Sequence, residues 1–345
     1  MVRKVKLAVM GAGLIGKRHI EHIIASPEAE LSAIVDPSPA AGDLASRSGA
    51  RWFSSFREML EAQRPEGIVV ATPNQMHVEH GMDAIQAGIP ALIEKPIADD
   101  VASGLRLVEA AEGTGVDLLV GHHRRHNPII QAAREIVVSG RLGRIVAVHG
   151  FFWLTKPAEY FDVSWRRMQG AGPVLLNLIH DIDLLRYLCG EIEVVQAMTS
   201  NENRGNTVED SGVILLKFAS GSLGTITVSD TIVAPWSWEQ TTGENPAYPH
   251  TDQSCYHIGG THGSLTLPKL EIWSNADKRS WWEPIRAERI YAAYEDPLQL
   301  QIGQFCRVIR GEERPLVPGR EGLKTLKVVA AVHEAARRGA AVRVV

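Results

Sequence analysis

Cysteine is scarce: Cys189, Cys255 and Cys306 are the only three in 345 residues. An odd, widely spaced set excludes a disulfide framework and a thiolate metal centre, and fits a reducing, cytoplasmic setting. Long apolar runs are missing as well, since no segment reaches the roughly 20 residues that a membrane-spanning helix needs. There is no cationic excess. The net charge is −4, so the chain lacks the electrostatic footprint for nucleic acid or an acidic membrane, and a small-molecule partner fits better. Low-complexity stretches and internal repeats are absent too. Arg3, Lys4 and Lys6 ahead of Leu7–Ile15 mimic a secretory signal, but Gly11, Gly13 and Gly16 break the apolar run.

What is present changes texture near His122. Before it, short apolar runs at Val5–Met10, Leu31–Val35, Gly67–Ala71, Ala91–Ile93 and Asp117–Val120 read as strands. Amphipathic stretches at Ile15–Ala25, Ser55–Gln63, His77–Ala87 and Val101–Glu112 read as the helices between them. That alternation predicts a doubly wound parallel sheet of Rossmann type over residues 1–122. Ser55 and Glu58 have capping-box spacing, and Gly88 stands where a left-handed helix end is expected.

The chain is longer than one core usually supports, and residues 123–345 are expected to form a second, α+β domain. A helix is predicted from Pro128 to Ser139 and a strand from Ile145 to Phe152. Alternating segments between Val194 and Trp273 then read as an antiparallel or mixed sheet, and helices Pro297–Arg310 and Arg320–Arg338 close the chain. Seven of the eight tryptophans lie in this part, which suits an apolar sheet face, a subunit contact or a wall for a sugar ring.

The sharpest motif is Gly11-Ala12-Gly13-Leu14-Ile15-Gly16, directly after a strand and opening a helix. Gly11 permits the tight turn, Gly13 lets a pyrophosphate approach the backbone, and Gly16 lets helix and strand lie close. The helix start then offers unpaired amides and positive dipole to phosphate. Asp36 stands 20 residues after Gly16, where a carboxylate can accept the ribose hydroxyls and repel a 2′-phosphate. The expected cofactor is therefore NAD rather than NADP.

Two further segments end parallel strands, Ala71-Thr72-Pro73-Asn74-Gln75-Met76-His77 and Glu94-Lys95-Pro96, and strand ends of that kind face a cofactor. Together with the glycine turn, His123-Arg124-Arg125-His126-Asn127-Pro128, Gly170-Ala171-Gly172-Pro173 leading to His180-Asp181-Ile182-Asp183, and Gly260 to Leu265, they make the chain resemble the Gfo/Idh/MocA oxidoreductase family along nearly its whole length. The resemblance implies a Rossmann domain followed by a domain on an open, largely antiparallel sheet that carries substrate and subunit contacts, in a homodimer or homotetramer. It makes Lys95 the lysine where nicotinamide meets substrate and His180 the acid/base histidine. Thr72, Pro73, Asn74, His77 and Glu94 join Lys95, Leu14 and Ile15 as the expected cofactor contacts.

The chemistry agrees. Removing a hydride from a secondary alcohol requires the hydroxyl proton to leave, and an imidazole is suited to accept it near neutral pH. Lys95 would hold the developing alkoxide; a desolvated lysine is the competing base. Helical spacing puts Asn177, His180 and Asp183 on one stripe, so Asp183 would orient the ring. A common family pattern has an aspartate four positions before the histidine, and here that position is Leu176. Asn177 is then expected to contact substrate, along with Arg124, Trp165 and Arg166, and Trp236 and Trp238 are candidates for a pocket wall or a subunit interface. His122, His123 and His126 cluster without a carboxylate or cysteine to complete a zinc set, so no metal is expected. The reading is an NAD-dependent oxidoreductase acting on a sugar, polyol or cyclitol. Its alternatives are a catalytically silent NAD-binding regulator and a lyase or hydrolase that uses NAD transiently.

Overall fold

The computed structural model describes residues 3–168 and 170–345, which divide into two compact units. The first comprises residues up to His126 together with Glu295–Leu326, and the second Asn127–Tyr294 together with Lys327–Val345.

In the first unit, β1 (Val5–Met10), α1 (Leu14–Ala25), β2 (Ala29–Val35), α2 (Ala40–Ser48), β3 (Arg51–Phe53), α3 (Phe56–Ala62), β4 (Gly67–Val70), α4 (His77–Gln86), β5 (Ala91–Ile93), α5 (Val101–Thr114) and β6 (Leu118–Val120) follow one another. All neighbouring strands pair in parallel, in the order β3-β2-β1-β4-β5-β6. The order reverses at β1, which puts a switch point beside the glycine turn. α2 and β3 complete a crossover that periodicity did not show, because β3 is three residues long with only Phe53 buried. Ser55 caps α3 through the Glu58 amide at 3.3 Å, while the Glu58 carboxylate reaches back to the Ser54 amide at 2.9 Å rather than to that of Ser55. Gly88 has the expected positive φ of 65°.

The second unit holds α6 (Pro128–Val138), β7 (Ile145–Trp153), α7 (Ile179–Cys189), β8 (Ile192–Ser200), β9 (Ser211–Phe218), β10 (Leu223–Ser229), the single turn α8 (Trp238–Thr241), β11 (Tyr256–Gly260), β12 (Ser264–Leu267), β13 (Glu271–Asn275) and β14 (Ile285–Arg289). After α9 (Pro297–Ile309) and α10 (Gly319–Arg338), the short β15 (Val342–Arg343) adds to the sheet, whose order is β14-β13-β12-β11-β7-β10-β9-β8-β15. Every pairing is antiparallel except β10 with β7. One face is sealed by apolar residues of α6, α7 and the second half of α10, packed on Val148, Phe152, Ile214, Leu216, Ile226 and Ile258.

A boundary at His122 assigns everything after it to the second domain, whereas residues 295–326 belong with the first. The reason is packing: Ile302, Phe305, Cys306 and Val308 of α9 complete the core formed by Val5, Leu7, Val9, Ile20 and Ile23. Periodicity reveals that α9 is a helix but not which core its apolar stripe enters. Among the described residues, no helix is long and apolar enough to cross a membrane.

Candidate functional site

The first half of the site is the turn between β1 and α1. Gly11 has φ of 94°, and a Cβ there would lie 2.6 Å from the Ala71 carbonyl oxygen; one on Gly16 would lie 1.9 Å from that of Gly11. These two glycines therefore serve the fold itself. Gly13 differs, since a Cβ there meets nothing within 4 Å, leaving open space beside the backbone. Gly13 also begins α1 with no side-chain cap and no acidic residue in the first turn, so the leading amides stay available to an anion. Leu14 stands 82% exposed at this mouth. An NAD pyrophosphate fits the open space and the uncapped amides.

Asp36, one residue past β2, faces this turn. Its carboxylate accepts the Ala12 amide at 2.8 Å and the Ser38 amide at 2.8 Å. Each oxygen keeps a lone pair for a ribose hydroxyl.

The strand ends β4 and β5 are tied to the same turn from below. His19, fully buried on α1, places Nε2 2.7 Å from Glu94 Oε1, and the Lys95 amide donates to Glu94 Oε2 at 3.2 Å. Burial alone would raise the Glu94 carboxyl; the hydrogen bond from His19 and the positive charge of His19, Lys95 and His123 outweigh it and bring the pKa down to about 2. Glu94 is thus an ionised strut rather than a surface open to ligand. Lys95 is half-buried at the following position, and the Lys95–Pro96 peptide is cis. His77 is buried, with Nδ1 2.7 Å from the Pro96 carbonyl oxygen and Nε2 2.8 Å from that of Thr72. Burial lowers the His77 pKa, so the neutral ring donates its one N–H to one of these carbonyls and packs between the two loops, while Thr72, Pro73 and Asn74 keep exposed or half-exposed positions.

In the second unit the histidine motif enters α7 through a π-helical turn, Val174–Leu178. α7 is buried nearly all round, including His180, Asp181, Asp183 and Arg186. An amphipathic surface helix would expose its charges, so this one is built to hold ionisable groups inside. The Tyr256 hydroxyl donates to Asp181 Oδ1. Because the wide turn ends only at Leu178, Asn177 does not share the regular three-residue stripe with His180 and Asp183. Its Oδ1 accepts instead from the buried Lys156 ammonium at 2.9 Å.

Lys156 escaped the sequence reading because it lies in an irregular stretch where a lysine reads as solvated. Its Nζ is also 3.4 Å from Asp230 Oδ2 and 5.0 Å from the Tyr160 ring centroid, while Arg204 Nε donates to Asp230 Oδ1 at 2.9 Å. Burial lowers the Lys156 pKa against the opposing pull of Asp230. The only local sign of such a role would have been Lys156 and Asp230 each standing just beyond a strand.

The remaining candidates divide. Arg124 is buried in the turn His123–His126 of the first unit, and its neighbour Arg125 pairs with Glu321 at 3.2 Å. Arg166 stacks over Tyr160 at 4.1 Å and donates to that residue's carbonyl at 2.8 Å; Trp165 is 50% exposed beside it. Trp238 is a core residue, donating to Glu244 at 2.8 Å. Trp236 instead joins Trp153 and Phe151 in a ring cluster, with centroids 5.6 and 6.0 Å away. Among the described residues, no three His, Cys, Asp or Glu side chains gather as a metal set.

Comparison with known proteins bears on both halves. The model of the Gfo/Idh/MocA oxidoreductase family, described as an NAD-binding Rossmann fold, matches residues 5–122, and that of the Gfo/Idh/MocA C-terminal domain matches residues 130–266. Inositol 2-dehydrogenase of Rubrobacter xylanophilus is 28% identical over 349 residues, covering 98% of this chain and 92% of that protein. The scyllo-inositol 2-dehydrogenase (NAD(+)) of Bacillus subtilis is 26% identical over 357 residues, covering 98% and 96%. The crystal structure of the WlbA dehydrogenase from Bordetella pertussis in complex with NADH and UDP-GlcNAcA matches with a TM-score of 0.81 and 29% identity over 99% of both chains.

Proposed function

Given that the chain belongs to the Gfo/Idh/MocA family of NAD-binding oxidoreductases, we propose that it oxidises a secondary alcohol on a cyclitol, sugar or sugar-derived polyol, or reduces the matching ketone. The observations that carry this reading are an anion-ready glycine turn and Lys95 on the Glu94 strut within the first unit, and, within the second, His180 inside a buried helix. The named activities of the inositol dehydrogenases and the sugar nucleotide in the WlbA complex support a hydroxyl-rich ring as substrate.

The bound nicotinamide supplies the hydride acceptor. His180 takes the hydroxyl proton as the carbon–hydrogen bond breaks, a role that suits imidazole because it titrates near neutrality. Asp183, three residues on in α7, orients the ring. Lys95 balances the alkoxide charge with a cation held by its backbone rather than by a flexible loop. Gly13, Leu14, Ile15 and the amides of α1 receive the pyrophosphate, Asp36 the adenosine ribose, and Thr72, Pro73 and Asn74 line the cofactor's path. Asp36 favours NAD over NADP, since a carboxylate repels a 2′-phosphate.

We also infer a homodimer or homotetramer. The outward positions of β8, β9 and β10 carry Met198, Val213, Leu215 and Leu223, between 48% and 78% exposed, where an open sheet face would carry polar side chains.

A spectrophotometric screen of inositols, sugars and sugar acids with NAD and NADP tests the function. Stoichiometric NADH release is expected with at least one of them. Turnover of substrate on catalytic NAD without NADH release would overturn the dehydrogenase reading in favour of a transient oxidation.

A further inference from the structure

We infer that Lys156 is a specificity-determining positioning residue, whose ammonium turns the Asn177 amide so that its NH2 is what the substrate meets. The inference rests on the proposed function and narrows its substrate class.

The argument begins with donors. An ammonium has three N–H bonds and no lone pair, so the atom of Asn177 that faces it at 2.9 Å must be the oxygen. The usual ambiguity of a side-chain amide is thereby removed. Lys156 is itself held from three sides, by Asp230 Oδ2 at 3.4 Å, by the face of Tyr160 at 5.0 Å, and through its backbone amide, which donates to the Asp230 carbonyl at 2.9 Å. Asp230 is 2% exposed and is fixed in turn by Arg204. The anchor is thus rigid, and with Oδ1 engaged the Asn177 NH2 group must point away from Lys156.

Asn177 sits in the π-helical turn that leads into α7, three residues before His180, and is only partly buried. An aspartate in this region would accept from a substrate hydroxyl. The oriented amide does the reverse and donates. Substrates are therefore selected for an oxygen that can accept this N–H near the reacting carbon, whether hydroxyl, carbonyl or carboxylate.

Steady-state kinetics on the best substrate from the NAD screen, with thermal unfolding alongside, test this in K156M, K156R, N177A and the double variant K156M/N177A. K156M is expected to raise the substrate KM about threefold to tenfold, as loss of one hydrogen bond does, while kcat and the KM for NAD stay within about twofold. K156R is expected to recover most of the loss, and the double variant to be no worse than either single one. Effects that multiply in the double variant, or a K156M defect that falls equally on NAD, would overturn the inference. If K156M does not fold, N177D decides: it keeps a partner for Lys156 but replaces donor by acceptor, so substrate KM must rise, and an unchanged KM refutes the idea. Should no candidate substrate reduce NAD, the functional reading fails by itself. The inference is then decided by 15N-asparagine spectra, where the Asn177 NH2 resonances must move in K156M and move less in K156R; identical spectra overturn it.

Discussion

His19 on α1 and Glu94 at the end of β5 meet at 2.7 Å, 75 positions apart in the chain, and both are buried. This contact locks the cofactor helix to the strand end that carries Lys95. Replacing His19 by Ala leaves a buried carboxylate without its partner, a loss of about 3 kcal/mol or more. A lowered unfolding midpoint and weaker NAD binding are both expected in calorimetry. The pH dependence has a definite sign. The folded carboxyl titrates at about 2, below its ordinary 4.5, so its stabilisation is complete above pH 4.5 and disappears as pH falls towards 2. Wild type should lose stability over that window more steeply than His19→Ala; parallel pH profiles would show that the pair contributes nothing.

The three glycines of the turn should separate by experiment. Gly16→Ala forces a methyl to 1.9 Å from the Gly11 oxygen, and overpacking of that kind costs about 1–3 kcal/mol or more. Gly13→Ala meets no neighbour and should fold like wild type, with NAD affinity reduced about tenfold by the intruding methyl. A Gly13→Ala protein with normal NAD affinity would remove the pyrophosphate from this turn.

The contrast shows what was legible in the chain. The glycine turn, Asp36, the strands and the Lys95 segment could be read because each is a local pattern tied to backbone geometry. His19, Lys156 and Asp230 could not, because their meaning lies in partners far along the chain, and a buried polar side chain looks the same in sequence as an exposed one. In sequence Asn177 reads as a candidate site residue on a regular helical stripe, and a π-helical turn breaks the 3.6-residue spacing used to place it there. His77 and Glu94 were expected to contact the cofactor; what their sequence context did not show is that their polar atoms also lie against partners within the protein.

Asp36 holds the Ala12 and Ser38 amides, and receiving the ribose is its proposed second duty. Asp36→Ser is expected to keep the turn folded while NAD binding weakens about tenfold, as loss of hydrogen bonds to a charged group implies. NADP should then bind relatively better, because the charge that repels its phosphate is gone. Titration calorimetry with both dinucleotides checks this; an unchanged NAD to NADP ratio would refute the ribose assignment.

His180→Ala should separate binding from chemistry. With the proton of the substrate hydroxyl as its proposed partner and the pyrophosphate assigned to the glycine turn, NAD affinity should stay within about twofold while kcat falls by about 10²–10⁴, the range for loss of a general base. Asp183→Asn, which keeps shape but removes the charge proposed to orient the ring, should cause a smaller fall. Retention of full turnover in His180→Ala would transfer the proton to Lys95 or to water.

The open sheet face gives the last prediction. Met198 is the register neighbour of Val213, and Leu215 follows Val213 two positions on along the same face of β9, so these three exposed apolar side chains form a short row rather than scattered singles. Burying such a row against a second copy would repeat the patch on both partners, as a two-fold interface requires. A Val213→Glu, Leu215→Lys protein places charges in its centre and should sediment as a smaller species than wild type, with its unfolding midpoint lowered by loss of the coupled assembly. If wild type already sediments as a monomer at micromolar concentration, the apolar row has no second copy to cover it.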